Sequence, residues 1–264
     1  MTENTLAINL TSEPTDTSLL TLPNDAITLG DNGGTLFVYD YLDPGCNSNA
    51  SGLLASGASF TNLVTGGAAA TATINSGTIT NNSGLVFSGS GTIYIDAGLT
   101  YCPPPTHAWV AIGWAKMPAS GLSNNDGIMS LGTSTSNYLY TIEAAASGAN
   151  MAFGVGAGSP GASGALSIAA PAAGTIHQFA IAYDPSGVMT AYLDGALVGQ
   201  AAAPLGSAMI DYSSNHTRLG TDPAFVSWRG GTIYRHVLQD LTVSGNSPLA
   251  VVANDFNLNN GRFT

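Results

Sequence analysis

A chain of 264 residues is long enough for one large all-β unit or two small domains, and it buries about three quarters of its unfolded surface without needing staples. Charged residues make up only 8%, with five Lys plus Arg against sixteen Asp plus Glu, and a net charge of -11 excludes the basic face that nucleic acid or an anionic membrane requires. The apolar share of 44% is rich in alanine, so the core falls to scattered Ile, Leu, Val, Phe, Tyr and Trp.

Residues 1–33 are rich in Thr, Asn and Pro, with short apolar beats at Leu19-Leu20 and Ile27 to Leu29. They read as an extended N-terminal arm that docks on its own domain or on a neighbouring subunit, and residues 34–264 read as a single sandwich. The first ten residues carry neither a basic start nor a long apolar core, so no export signal and synthesis in a cytosol are expected. Thr35 to Tyr39 is strand-like. Gly84 to Phe87 and Thr92 to Ile95 read as a strand pair around the turn residues Gly89-Ser90-Gly91. The prolines at 103–105 read as a stiff crossover between sheets. The apolar stretch from Ala108 to Ala115 is too short to span a membrane and ends at Lys116, so no membrane insertion is expected.

Farther on, Gly154 to Pro160 has no helix behind it to converge on a phosphate and reads as a hairpin tip or assembly loop. Phe179, Ile181 and Tyr183 alternate with Ala180 and Ala182, a period of two with one bulky and one small face. Val188 to Leu193 and Ala196 to Val198 flank Asp194-Gly195, a strong hairpin signal because both turn positions take positive φ. Thr232 to Tyr234 and Leu241 to Val243 read as closing strands. Ser247-Pro248 caps a short helix over Leu249 to Phe256, the one helix expected. Cys46 and Cys102 have no metal-ligand spacing and read as free thiols, unless folding brings their Cα atoms within about 7 Å.

Several of these segments together resemble the laminin-G-like, concanavalin A-like jelly-roll superfamily: Gly84 to Gly91, His107 to Met117, Tyr183 through Val198, and Trp228 to Tyr234. The resemblance implies an all-β, two-sheet antiparallel jelly-roll sandwich. A narrower likeness, carried by Ala58 to Val64, Tyr234 to Gly245, Asp255 and Arg262-Phe263, is to structural proteins of tailed bacteriophages. It implies a place on a virion but no single activity, because the fold hosts lectins, glycosidases and cement proteins alike.

Glycoside hydrolysis needs two carboxyl groups about 5–10 Å apart. Of the three glutamates, Glu3 and Glu13 lie in the arm, and Glu143 is followed by three alanines instead of further acids, so the paired-carboxylate strand is missing. No serine elbow is present, and His107, His177, His216 and His236 are too dispersed for a zinc site. His107, His177 and His236 are expected at strand edges in structural hydrogen bonds. No cofactor is required; a calcium ion at the rim would draw on Asn124, Asn125 and Asp126, with Asp222, although Asn, Asp and Gly are equally ordinary turn residues. Loop aromatics are the natural glycan probe. Tyr212, Asp222, Phe225, Trp228 and Arg229 form the candidate ligand-binding set, against a reading in which Trp228 simply anchors the closing strand in the core.

The function expected from the sequence is therefore a non-enzymatic phage virion protein, capsid-decorating or tail-associated, made in the host cytoplasm. Its partners would be other virion proteins or further copies of itself. A carbohydrate-binding adhesin that recognises host surface glycans is the alternative, and a glycan hydrolase comes third.

Overall fold

The computed structural model describes residues 33–89, 92–145, 148–159 and 163–263, so the arm expected over residues 1–33 lies almost wholly outside the described residues. The first strands are β1 (Thr35–Asp40), β2 (Gly52–Leu53), β3 (Ser59–Phe60), β4 (Ala70–Ile74), β5 (Thr78–Asn81) and β6 (Leu85–Ser88). Next come β7 (Ile93–Gly98), β8 (Trp109–Lys116), β9 (Gly127–Ser134), β10 (Asn137–Ala144), β11 (Asn150–Ala157) and β12 (Gly164–Ala169). The chain closes with β13 (Ile176–Asp184), β14 (Val188–Leu193), β15 (Ala196–Ala202), β16 (Thr217–Leu219) and β17 (Thr232–Asp240), then α1 (Leu241–Ser244) and α2 (Pro248–Asn259).

These strands build the two-sheet antiparallel sandwich. A nine-stranded sheet runs β15-β14-β13-β8-β17-β6-β5-β2, with β1 also paired to β17; an eight-stranded sheet runs β12-β11-β10-β9-β16-β7-β4-β3. The main core lies between them, with Phe37, Phe87, Trp109, Tyr140, Phe153, Phe179 and Trp228 fully or almost fully buried. Prolines 103–105 do carry the chain from one sheet to the other, between β7 and β8. The Asp194-Gly195 hairpin forms between β14 and β15, with φ +50° and +77° at its two turn residues.

A second core explains the alternation in β13. Phe179, Ile181 and Tyr183 face the inter-sheet core, whereas Ala180 and Ala182 face a smaller cluster with Val110, Ile112, Trp114, Val251 and Val252. The small residues let α2 lie close against the nine-stranded sheet, so β8 and β13 are buried on both faces and read as continuous apolar runs. Ser247 caps α2 by accepting from the Ala250 N–H, with Pro248 in the first turn, and the helix extends past Phe256 to Asn259.

An ionic network underlies that helix. Asp255 accepts from Trp114 Nε1 (2.7 Å), Gln178 Nε2 (2.8 Å) and Arg235 Nε (2.9 Å). Arg235 also reaches Asp40 on β1, which takes Arg262 as well, and the Phe263 ring stacks on Tyr234. Tyr234, Arg235, Val237, Leu241, Asp255, Arg262 and Phe263 of the phage-like segments thus meet in one structural unit, whereas Phe60 and Leu238 face the main core.

Five expectations are corrected. Leu241 to Val243 is not a strand but the helical turn α1, because the Asp240 carboxylate accepts from the Val243 N–H and Gly245 closes the turn at φ +72°. α2 is therefore not the sole helix. Leu85–Ser88 and Ile93–Gly98 are strands but not a pair; they lie in opposite sheets, each aiming its apolar alternate residues at the shared core. Gly154 to Ala157 belong to β11, not to a loop tip, and a Cβ on Gly154 would lie 2.4 Å from the Tyr138 hydroxyl that crosses it. His236 is inside β17, where its ring meets the Tyr41 hydroxyl and the Ile128 carbonyl; burial pushes its pKa down to about 3 and keeps it neutral. Both cysteines are free thiols.

Candidate functional site

The loop joining β16 to β17 is organised from within by Asp222. Its Oδ1 accepts from the Val226 N–H (2.6 Å), and the backbone pairs Asp222 N to Val226 O and Phe225 N to Asp222 O close a tight turn. The turn forces Phe225 to φ +69°, a region that bulky side chains rarely occupy. Trp228 then dives into the core and donates Nε1 to the Lys116 carbonyl, which fixes where the loop ends. The loop also rests on Gly127: Gly127 and Ser227 bridge, and Ser227 bridges back to Thr221.

Arg229 ties this loop to the second candidate group. Its Nε donates to Asp126 Oδ1 (2.7 Å) and its Nη2 to the Asn124 carbonyl (3.3 Å). The structure therefore unites Asp222, Phe225 and Arg229 with Asn124, Asn125 and Asp126 at one rim, although the sequence separates them by about a hundred residues, while Trp228 is buried in the core as the anchor of the closing strand. Tyr212 stands apart, buried with its hydroxyl donated to the Ala157 carbonyl.

A cleft of about 370 Å³ opens beside the loop, walled by Ser76, Thr92, Phe225, Ser227 and Arg229. Several polar atoms around it are buried without a hydrogen-bond partner among the described residues: Thr221 Oγ1, Asp222 Oδ2 and Ser227 Oγ. Ser227 also lines the cleft, although its own hydroxyl is closed off from solvent.

The rim does not fit calcium in this arrangement. Asp126 already serves Arg229 and the Ser123 N–H, Asn125 is a turn residue at φ +63°, and no described group of three His, Cys, Asp or Glu side chains is placed to hold a metal ion. The guanidinium occupies the role that the cation would have.

On the outward face of the eight-stranded sheet, Arg218, Ser130 and Thr141 sit in one cross-strand row, since their neighbours Leu219, Leu131, Tyr140 and Ile142 point into the core. Glu143 shares that face and accepts from the Thr141 hydroxyl (2.9 Å). Burial, with Asp222 adding to it, pushes Glu143 up to about 7; burial and then Asp126 raise Asp222 to about 6. Ser76, Thr92, Ser227 and Arg218 are not singled out as site residues by the sequence, and Glu143 enters there only as a carboxylate without a partner. Only Arg218, a lone charge in a short buried strand, carried any signal there.

These raised carboxyls make stability depend on pH. The folded state holds both protons more tightly than the unfolded chain, so their contribution is full at low pH and is lost as pH rises from about 4 to about 7. Glu143→Gln is expected to flatten that loss and to stabilise the protein at pH 8 by about 2 kcal/mol, after discounting for partial exposure. Thermal unfolding of both proteins from pH 4 to 8 measures it, and parallel curves would refute it.

Residues 87–245, well over half of the chain, match the family model described as the concanavalin A-like lectin/glucanases superfamily. The chain belongs to that superfamily. Among solved structures, this superfamily sandwich is similar to Trypanosoma rangeli sialidase in complex with a difluoro-KDN, at a TM-score of 0.57 and 12% identity over 85% of this chain and 32% of that one. It is also similar to the binding domain of botulinum neurotoxin DC, solved with rat synaptotagmin II (TM-score 0.52, 9% identity, 86% and 52% covered) and with SialylT (TM-score 0.50, 10% identity, 86% and 52% covered). At such identities the likeness is one of fold, and the chain spans about a third to a half of these proteins. No curated protein sequence matches it.

Proposed function

We propose that the chain is a non-catalytic carbohydrate-binding module whose ligand occupies the cleft beside Phe225. The observation that carries this reading is Phe225 itself, a bulky ring held at φ +69° at a cleft that it shares with Ala224, Val226, three hydroxyl-bearing residues and the Arg229 guanidinium. Strained backbone of this kind collects at ligand clamps. A flat apolar ring with a few convergent polar groups suits the C–H face and hydroxyls of a sugar. Membership of a lectin and glucanase superfamily supports the reading, as do neighbours whose structures hold sialic-acid derivatives or SialylT.

Binding without hydrolysis is proposed because no carboxylate among the described residues lines the cleft, and Asp222 spends one oxygen on its own loop. Two carboxyl groups flanking the scissile bond are the usual requirement. Screening the protein on a broad glycan array, then titrating the best ligand into wild type and Phe225→Ala, tests the site. Loss of the ring is expected to weaken binding at least tenfold, about 1.4 kcal/mol. An array with no signal, or equal affinity in the variant, defeats the proposal, and released reducing sugar defeats its non-catalytic part.

A second proposal, a virion subunit of a tailed phage, rests on the likeness of Tyr234 to Gly245 and Arg262-Phe263. The exposed edge strand β15, with Leu197 55% exposed, offers a surface for self-association. A strictly monomeric mass at high concentration would remove that support.

A further inference from the structure

The sequence has five basic side chains against sixteen acidic ones. Three of the four arginines find carboxylates in the fold: Arg229 on Asp126, Arg235 on Asp40 and Asp255, and Arg262 on Asp40. Arg218 finds none among the described residues, although it is only 9% exposed. Its Nη1 donates to the Gly132 carbonyl, while its Nε is buried and donates to nothing among the described residues. Asp96, its cross-strand neighbour on β7, is engaged by His216 and by the Gly98 N–H. Ser130, its cross-strand neighbour on β9, has a buried hydroxyl that is likewise without a partner.

Two aromatic rings hold this cation. The guanidinium carbon lies 4.4 Å from the Phe225 ring centre and 5.7 Å from that of Tyr94. Attraction to ring faces recovers only part of what a guanidinium loses on leaving water. A buried charge with no counter-charge is one of the least favourable arrangements a fold can keep, and a chain with so many carboxylates has no shortage of candidates to neutralise it.

We propose that Arg218 is the oxyanion-recognising subsite of the Phe225 cleft, and that the saccharide bound there carries a carboxylate or sulfate group. The inference rests on the cleft being a saccharide site. Phe225 joins the two features: its ring walls the cleft and covers the guanidinium of Arg218, which does not itself line the cleft, so the subsite is reached only by an acidic substituent that passes the edge of that ring. A planar guanidinium pairs with carboxylate or sulfate oxygens through two parallel hydrogen bonds. The net charge of -11 repels anions at long range, so the preference comes from contact and not from steering.

The test uses the full chain and matched oligosaccharides that differ only in being neutral, uronate-bearing or sulfated, titrated by calorimetry into wild type and Arg218→Met. Wild type is expected to bind an acidic member at least tenfold more tightly than its neutral counterpart, and the two acidic arms identify which oxyanion fits. Arg218→Met is expected to bring that ratio close to one while its melting temperature holds or rises, because an uncompensated charge has been removed; a purely structural arginine would lower it. Should that variant fail to fold, Arg218→Lys keeps the charge without the planar fork and is expected to lose several-fold of the preference. Equal binding of neutral and acidic ligands, or a preference that survives in the variant, overturns the subsite and leaves the saccharide reading standing. No binding of any saccharide by wild type overturns both.

Discussion

Replacing Asp255 by alanine is expected to destabilise the protein by about 3–5 kcal/mol, the usual result of breaking a buried ion pair from one side. The carboxylate is fully buried and serves Trp114, Gln178 and Arg235 at 2.7–2.9 Å, with Asn259 at 3.3 Å. Its removal leaves the Trp114 indole N–H without its acceptor beneath a helix and takes one partner each from Arg235 and from the Gln178 amide, which keeps the Val252 carbonyl. Arg235 would keep Asp40, but Asp40 is already shared with Arg262. In a chain of this size the loss corresponds to a fall of about 10 °C or more in melting temperature. Asp255→Asn, which retains an acceptor, is expected to lie between alanine and wild type. Chemical denaturation placing Asp255→Ala within about 1 kcal/mol of wild type would mean that the network contributes little.

Gly127→Ala is the second large effect, and it connects stability to the proposed site. A Cβ at this position would sit 1.9 Å from the Asp222 nitrogen and 2.1 Å from the Thr221 carbonyl carbon. Both are backbone atoms, and Trp228 and Arg229 anchor the end of their loop, so no side chain can swing away to relieve the overlap. Overpacking against side chains typically costs about 1–3 kcal/mol; against backbone, about 3 kcal/mol or more is expected. The loop must shift, carrying Phe225 and Ser227 with it, so saccharide binding is expected to fall at least tenfold even well below the melting temperature. A Gly127→Ala protein with wild-type stability and affinity would show that the loop is not seated as described.

The parts of the fold that were legible in the sequence are those written in local chemistry. Asp194-Gly195 dictates its hairpin because few other residues accept two positive φ angles in succession, and Ser247-Pro248 announces α2 by capping it. Partnership between strands is less local. The alternation in Leu85 to Phe87 and in Ile93 to Ile95 says that one face is buried, and both faces do meet the same core, but alternation does not say which sheet each strand joins. Leu241 to Val243 looks like a strand by residue type, yet one capping carboxylate two atoms from the backbone decides for a helical turn.

The site divides along the same line. Asp222, Phe225, Trp228 and Arg229 were found because they crowd one loop. Their junction with Asn124 to Asp126 depends on the Arg229–Asp126 pair, which the sequence separates by 103 positions. Glu143 and Arg218 are singular by what surrounds them: a carboxyl deprived of water and a guanidinium deprived of a counter-charge. Neither property belongs to a residue type or a spacing.

The place of β17 governs the order in which this protein can be built. The strand lies between β8 on one side and β6 with β1 on the other, so residues near 35, 86 and 112 are joined only by one that arrives at 232–240. Until then the nine-stranded sheet exists as three unconnected pieces, β15-β14-β13-β8, β6-β5-β2 and the lone β1, and the face beneath α2 is uncovered. During synthesis the early strands must therefore wait, with apolar surface open, for nearly the whole chain to emerge. Such dependence on distant pairings places folding in the slow, high-contact-order class and makes the nascent chain a natural client of chaperones.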